Sequence, residues 1–274
     1  MWRPVNEDHS IEMMSVIIGF QDAVSSLVYR KILRKLDETT NANGLNIQQP
    51  LQGIEFRVDP SGVTPRPINI NGMSYQRTSL VKMQSGEIAN KVVEQVQFQP
   101  QSIHYSTWKY TRWNPALDSI SRLIFPAVEL ASSAVSISSI RIEYIDRFIF
   151  FGAGFESKPS DVLSEKSPLI ANDIFSSDDL WHSHTGKLVR ISDQKKRLFQ
   201  VNIDAQDLAT PIELAGKRSI AIVNSVEDRF EQPGLEIENT QVEISLELEE
   251  LHNESKSLYS KILNPSMAAK VGLE

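Results

Sequence analysis

Between Ile54 and Tyr110 apolar and polar residues alternate with a period of two, and no stretch of helical spacing interrupts them. Alternation of that kind sends successive side chains to opposite faces of a strand, so this segment has to supply a run of neighbouring strands. Breaks are marked by "DPSG" and "NING" and, more softly, by "QSGE", which places strands at about residues 54–58, 73–83 and 91–110. Pro100 falls inside the last of these, where it lacks the N–H that a ladder needs, and predicts a bulge or a break.

The flanking segments carry the helices. "IEMMSVIIGF" (residues 11–20) is apolar and β-branched and reads as a first strand. Ser25 or Ser26 can cap a helix behind it, along which Val28, Ile32 and Leu36 recur every fourth residue until Asn43 and Gly44 stop it. "RWNPALDSISRLIFPAVELASS" predicts a second helix, with Asn114 as N-cap, Pro115 at the first helical position and an apolar face of Leu117, Ile120, Ile124 and Val128. Pro126 should kink or divide it. "ISSIRIEYIDRFIFF" alternates through Ile140, Ile142 and Tyr144 and reads as a strand whose phase slips near Ile145, as at a bulge, before Phe148 and Phe150.

No period holds from Gly152 to Leu180, a length of connection that is often functional or mobile. Strands are then expected at about residues 188–192, 198–203 and 218–226. Val242, Ile244, Leu246 and Leu248 alternate with Glu243, Glu247 and Glu249, which reads as a last strand over residues 241–251 with one wet face. A helix over about residues 252–263 and a short one capped by Asn264, opened by Pro265 and stopped by Gly272 close the chain.

This order defines an α+β fold: antiparallel meander sheets with two long helices and a C-terminal helix packed on one face. It forms a single domain over residues 1–274. Two strand-rich segments, each with a long helix, point to interlocked, pseudo-equivalent halves at about residues 1–112 and 113–274, although no residue-level repeat ties them together.

With 41% hydrophobic and 23% charged residues among 274, the chain can bury a sizeable core. The absence of cysteine excludes disulfides, thiolate metal sites and a cysteine nucleophile. No apolar run approaches the ~18 residues that cross a bilayer, and "MWRPVNEDHSIE" is too polar for a signal-peptide core, so a cytoplasmic protein without membrane contact is expected. Of the net charge of −7, the segment from Glu227 to Glu254 carries −9, with ten acids and Arg229 as its one base. That balance disfavours general nucleic-acid binding, which needs clustered Lys and Arg. One basic cluster stands out: Lys187, Arg190, Lys195, Lys196 and Arg197, read first as a solvated hairpin tip and second as an anion site.

In "DDLWHSHTGKLVR" the imidazoles of His182 and His184 fall on one side of a strand, a geometry some metal sites use, and Asp178 or Asp179 could add a carboxylate. A hydrolytic zinc site needs a third ligand and ordered partners around it, and no further histidine lies close in sequence. A loop entering a strand, with Thr185-Gly186 as a turn, is the preferred reading. "FGAGF" (residues 151–155) lacks the helix start and the remaining glycines of a phosphate loop and reads as a strand end needing unusual backbone angles. No G-x-S-x-G elbow occurs. Glu143 and Asp146, with Arg141 and Arg147, read as cross-strand ion pairing rather than catalysis, and the aromatics of "HYSTWKYTRW" as sheet packing.

Four segments taken together, "HSIEMMSVIIGFQDAVSS", "YTRWNPALDSI", "ISSIRIEYIDRF" and "ELHNESKSLYSKILNPSMAAKVG", resemble a sporadically distributed bacterial family of proteins of similar length. In that family a tryptophan precedes a helix, a strand carries an Arg-Tyr-Asn type motif, and a Leu-His pair opens the C-terminal helix ahead of a phenylalanine-rich end. Trp113, the Glu143-Tyr144-Ile145-Asp146 run and Leu251-His252 occupy those places here. Glu143 stands where Arg is usual, Asp146 where Asn is usual, and Tyr259 near the usual Phe. The resemblance implies no activity, cofactor or catalytic residue; its patchy distribution implies mobile cargo such as toxin-antitoxin or phage-defence cassettes.

The expectation for function is therefore a non-enzymatic protein-interaction component, bound to another protein or to itself through sheet edges or the acidic face carrying Glu243, Glu247 and Glu249. No cofactor is called for. The alternatives are a metal-dependent hydrolase built on His182, His184 and Asp179, and a nucleic-acid or nucleotide sensor using the basic hairpin at residues 187–197.

Overall fold

A computed structural model describes residues 1–59, 62–82, 88–177, 179–231 and 240–273. The turns expected at "DPSG" and "QSGE" lie wholly or mainly outside these residues, as does Asp178. The strands β1 (Trp2–Pro4) and β2 (Ile11–Phe20) lead into α1 (Ser26–Ala42), followed by β3 (Ile47–Asp59), β4 (Gly62–Lys82), β5 (Ile88–Gln99) and β6 (Ser102–Thr107). Then come α2 (Trp113–Leu123), α3 (Phe125–Ser132) and β7 (Ile137–Phe150). After a long connection β8 (Trp181–Arg190), β9 (Lys195–Asp207) and β10 (Arg218–Phe230) precede α4 (Thr240–Ser260) and α5 (Pro265–Lys270).

The strands form one ten-stranded sheet, ordered β3-β4-β5-β6-β2-β7-β10-β9-β8, with β1 also paired to β7. Every pairing is antiparallel. This is the expected α+β fold, with α4 packed across β7 and β10. The two strand-rich segments meet where β2 pairs with β7, so they share one sheet and one hydrophobic core. Among the described residues no helix is long and apolar enough to cross a membrane.

Local chemistry accounts for most boundaries. The Ser25 hydroxyl accepts the Val28 N–H at the start of α1, and Gly44, at φ 79°, ends it in the left-handed region that glycine favours. Pro100 and Gln101 form the turn between β5 and β6. The second predicted helix is divided at Ile124, which caps α3 with Pro126 in its first turn. Its start differs from expectation: Arg112 is the N-cap and makes no side-chain cap bond, so Asn114 and Pro115 sit inside the first turn. Asn264 caps α5 as expected, accepting the Met267 N–H at 2.8 Å.

Five expectations are corrected. Residues 241–251 belong to α4, because Ile244, Leu248, Leu251, Leu258 and Ile262 recur at helical spacing and are buried, whereas Val242 and Leu246 are 53% and 66% exposed. β7 does not slip near Ile145: Ile140, Ile142, Tyr144, Asp146, Phe148 and Phe150 all lie on its inner face, and the irregularities in its pairing with β2 fall between Ile11 and Met13 and between Gly19 and Phe20. "NING" is an irregularity within the β3–β4 pairing rather than a hairpin turn; there a Cβ on Gly72 would come within 2.6 Å of the Phe98 carbonyl. Thr185 and Gly186 lie within β8, and the turn to β9 is at residues 191–194. Gly152 and Gly154 have no positive φ; at Gly152 the space is needed by the Phe150 ring, 2.6 Å from where a Cβ would stand.

The connection from Gly152 to Leu180 is irregular as expected, with three short 3-10 turns, and it is pinned by buried Val162, Leu163, Ile170 and Ile174. Together with the helices it covers the inner face of the sheet.

Candidate functional site

The inner face of β7 is apolar except at Tyr144 and Asp146, and on β10 Asn224 stands directly across from Tyr144. A sheet face covered by helices normally carries Val, Ile and Leu, so polar groups there require partners. Ser10, just ahead of β2, approaches Asp146 from one side. His252, Ser255, Lys256 and Tyr259 recur at spacings of three and four on α4 and so descend from one helical face. Tyr110, Arg112 and Trp113 at the start of α2, with Val271, Gly272 and Leu273 at the C-terminal end, complete the walls of a cavity of about 310 Å³.

Asp146 is 1% exposed. The Ser10 hydroxyl donates to its Oδ1 at 2.7 Å, and the Ser10 and Tyr259 hydroxyl oxygens are 2.8 Å apart. Burial pushes this carboxyl up to about 7, against the hydrogen bonds from Ser10 and Tyr259 that favour its charged form. Among the described residues no basic side chain pairs with it. Its neighbour Arg147 points to the opposite face, where it pairs with Glu12 at 2.8 Å, and Arg141 pairs with Glu143 on that same face. The expected charged network around "RIEYIDRF" is thus split by the pleat, leaving Asp146 alone inside.

On the other side of the cavity the His252 ring lies against Trp113, and its Nδ1 is 2.9 Å from the Tyr144 hydroxyl. Burial lowers this imidazole to about 4, so it is neutral at pH 7. The Trp113 indole donates to the Glu249 carboxylate. Tyr110 meets Tyr144 edge-on with ring centroids 5.8 Å apart, and burial raises its hydroxyl to about 12. Asn224 donates from Nδ2 to the Ser255 carbonyl at 2.9 Å, which leaves its Oδ1 buried without a partner. The cavity therefore holds a buried carboxyl without a basic partner among the described residues and one buried amide oxygen without a donor, inside a wall of aromatic rings. Arg112 and Lys256, both exposed, stand at its rim.

A second polar cluster lies nearer the start of α4. Arg197 is 1% exposed and grips Asp228 with two hydrogen bonds of 2.7 and 2.6 Å, while Glu250 and Glu254 approach it at 2.8 and 3.5 Å. Lys195 reaches Glu247 at 2.9 Å and Asp228 at 3.3 Å. Burial and the neighbouring Asp228 raise Glu247 to about 7. Two bases expected on a solvated hairpin tip are thus held inside by acids of β10 and α4. Part of the acidic run expected as an exposed strand face is their counter-charge.

The remaining expected site residues are dispersed. His182 and His184 are exposed on the outer face of β8, opposite Asp204 and Asn202. Asp179 accepts the Leu180 N–H, and among the described residues no three metal-ligating side chains converge. Lys187 lies over the Phe199 ring, Arg190 approaches Asp193 at 3.7 Å, and Lys196 pairs with Glu231. Glu243 is half-buried in the first turn of α4, and Glu249 is engaged by Trp113.

No protein-family model and no curated protein sequence matches the chain. Of the residues on which a family resemblance was expected, Trp113, Tyr144, Asp146, His252 and Tyr259 line this cavity, whereas Glu143, Ile145 and Leu251 do not. Ser10, Asn224, Tyr110 and Arg112 had no sequence signal of comparable strength. The signal available for Asp146 and Asn224 is their phase, a polar residue in step with the mainly apolar inward positions of its strand.

Proposed function

We propose that the chain is a non-catalytic interaction component whose state is set by a small polar ligand held under α4. The supporting observation is that a buried carboxyl without a basic partner among the described residues, Asp146, and a buried amide oxygen without a donor, the Asn224 Oδ1, line one aromatic-walled cavity, where a few polar groups can fix a ligand's orientation. In a toxin-antitoxin or defence cassette such a protein would report the ligand to its partner. Differential scanning fluorimetry against small polar metabolites tests the reading: a binding compound should raise the melting temperature of the wild type but not of Leu273→Trp, which fills the cavity wall. Absence of any shift, or equal shifts in both proteins, would sink it.

A second reading, self-association, is favoured by the sheet edge. β3 is a terminal strand of the sheet order, and Ile47 and Ile54 on it are 41% and 65% exposed. An edge of this kind offers unpaired backbone groups to a second copy of itself across a two-fold axis. Light scattering on the eluted protein should give a dimer that Ile54→Lys converts to monomer; a monomeric wild type at every concentration rejects the reading. The hydrolase and nucleic-acid readings draw no comparable support, since His182 and His184 diverge from any third ligand among the described residues and Lys195 and Arg197 are engaged internally.

A further inference from the structure

On the reading that the cavity under α4 holds a ligand, we propose that this ligand is a small zwitterion, with a cationic nitrogen seated at Asp146 and Asn224 and an anionic group held at the rim by Arg112 and Lys256. The inner end of the cavity presents acceptors. Asp146 is a buried carboxyl with no basic partner among the described residues, and the Asn224 Oδ1 lacks a donor. Both lie on the inner face of adjacent strands, Asn224 one inward position along β10 from Ile222, which pairs with Asp146.

An ammonium group donates three hydrogen bonds and accepts none, so it supplies the donor that the Asn224 Oδ1 lacks and a positive charge for Asp146. A neutral ligand would leave the carboxylate uncompensated, and a purely anionic one would bring a like charge against it. The rings of Tyr110, Tyr144 and Trp113 line the same space, and aromatic rings attract organic cations. At the rim the sign reverses. Arg112 and Lys256 are exposed and line the cavity, so a ligand that is only cationic meets two positive charges at the entrance. A molecule positive at one end and negative at the other matches both. The volume of about 310 Å³ accommodates a ligand of amino-acid size.

Calorimetry with the full chain at pH 7.5 or so, using free L-amino acids as probes, tests the polarity of the site. Each binder is compared with its methyl ester, which keeps only the cation, and its N-acetyl form, which keeps only the anion. The free form should bind at least about tenfold more tightly than either derivative. Arg112→Gln with Lys256→Gln should abolish the preference over the ester, and Asp146→Asn the preference over the N-acetyl form. The rim variants lie outside the core and guard against an Asp146→Asn protein that fails to fold.

Equal binding of the N-acetyl form, or rim variants that leave the ester discrimination intact, overturns the proposal. If amino acids fail while another compound still stabilises the wild type and not Leu273→Trp, the zwitterion is rejected and the ligand-binding reading stands. If nothing discriminates those two proteins, both fall.

Discussion

The imidazole of His252 lies flat on the indole of Trp113, with ring centroids 4.4 Å apart and planes within 4° of parallel. This contact ties the first turn of α2 to the middle of α4 and keeps the imidazole out of water. Trp113→Ala should therefore destabilise the fold by ~3–5 kcal/mol, through lost packing and a Glu249 carboxylate without its donor. It should also raise the His252 titration midpoint from about 4 toward that of a free imidazole. An NMR titration of the ring protons checks the second part; an unmoved midpoint would show that the stack does not govern the burial of His252.

Asp146 and His252 pull stability in opposite directions with pH. Asp146 is raised to about 7, so the folded state binds its proton where the unfolded state has released it, and stability from this group falls as pH climbs from about 4 to about 7. His252 is lowered to about 4, so the unfolded state binds the proton first, and stability from this group rises with pH between about 4 and the ordinary histidine value of 6.5. Each slope approaches ~1.4 kcal/mol per pH unit at most, discounted for the partial exposure of His252. In urea titrations at several pH values, Asp146→Asn should gain a positive slope relative to wild type over this window, and His252→Phe a negative one. Parallel curves for all three proteins would contradict the burial of both groups.

Breaking the Arg197–Asp228 pair should cost far more than removing it whole. Arg197→Met leaves Asp228 buried against other acids and is expected to lose ~3–5 kcal/mol in equilibrium unfolding. Asp228→Asn in the same background should recover much of that loss, and the recovery measures the interaction as a double-mutant cycle. Additive losses would mean that Lys195 and the carboxylates of α4, not this pair, hold the cluster together.

The helical reading of residues 240–260 has its own signature. Leu246→Glu should lie within ~0.5 kcal/mol of wild type, whereas Leu248→Ala should cost ~2–5 kcal/mol. A strand with one buried face would make the two positions equivalent, so similar losses at both would reject the helix.

The strands from β3 to β6 were legible in part: their alternation is clean and Pro100 marks the turn between β5 and β6, but "NING" carries turn residues where β4 runs on through them. α4 was not, because Glu and Leu at alternate positions over a short window satisfy both periods; only the longer register through Leu251, Leu258 and Ile262 separates them, and the intervening residues were assigned to a new element. Asp146 was misread for a different reason. An acid between two arginine-bearing turns of the pleat reads as an ion-pair partner, yet Arg141 and Arg147 lie on the other face and the acid stands at an inward position. His182 and His184 stood out by identity, but the pleat turns both to the outer face of β8, and identity carries no information about which face is covered. The cavity as a whole depends on β2, β7, β10 and α4 meeting, and contacts of that separation leave no local trace.

The position of β2 in the sheet also sets the order in which the molecule can be assembled. Its neighbours are β6 and β7, so Ile18 meets Ile103 on one side and Ile140 on the other, and Trp2 waits for Phe150. During synthesis β2 therefore emerges with both of these edges unpaired, and one stays open until the residues of β7 have been made. Pairings of such long sequence separation fold slowly and leave apolar edges exposed to other chains. Nascent chains ending before β7 should thus be the species that chaperones hold, and release should coincide with emergence of Ile137–Phe150 from the ribosome.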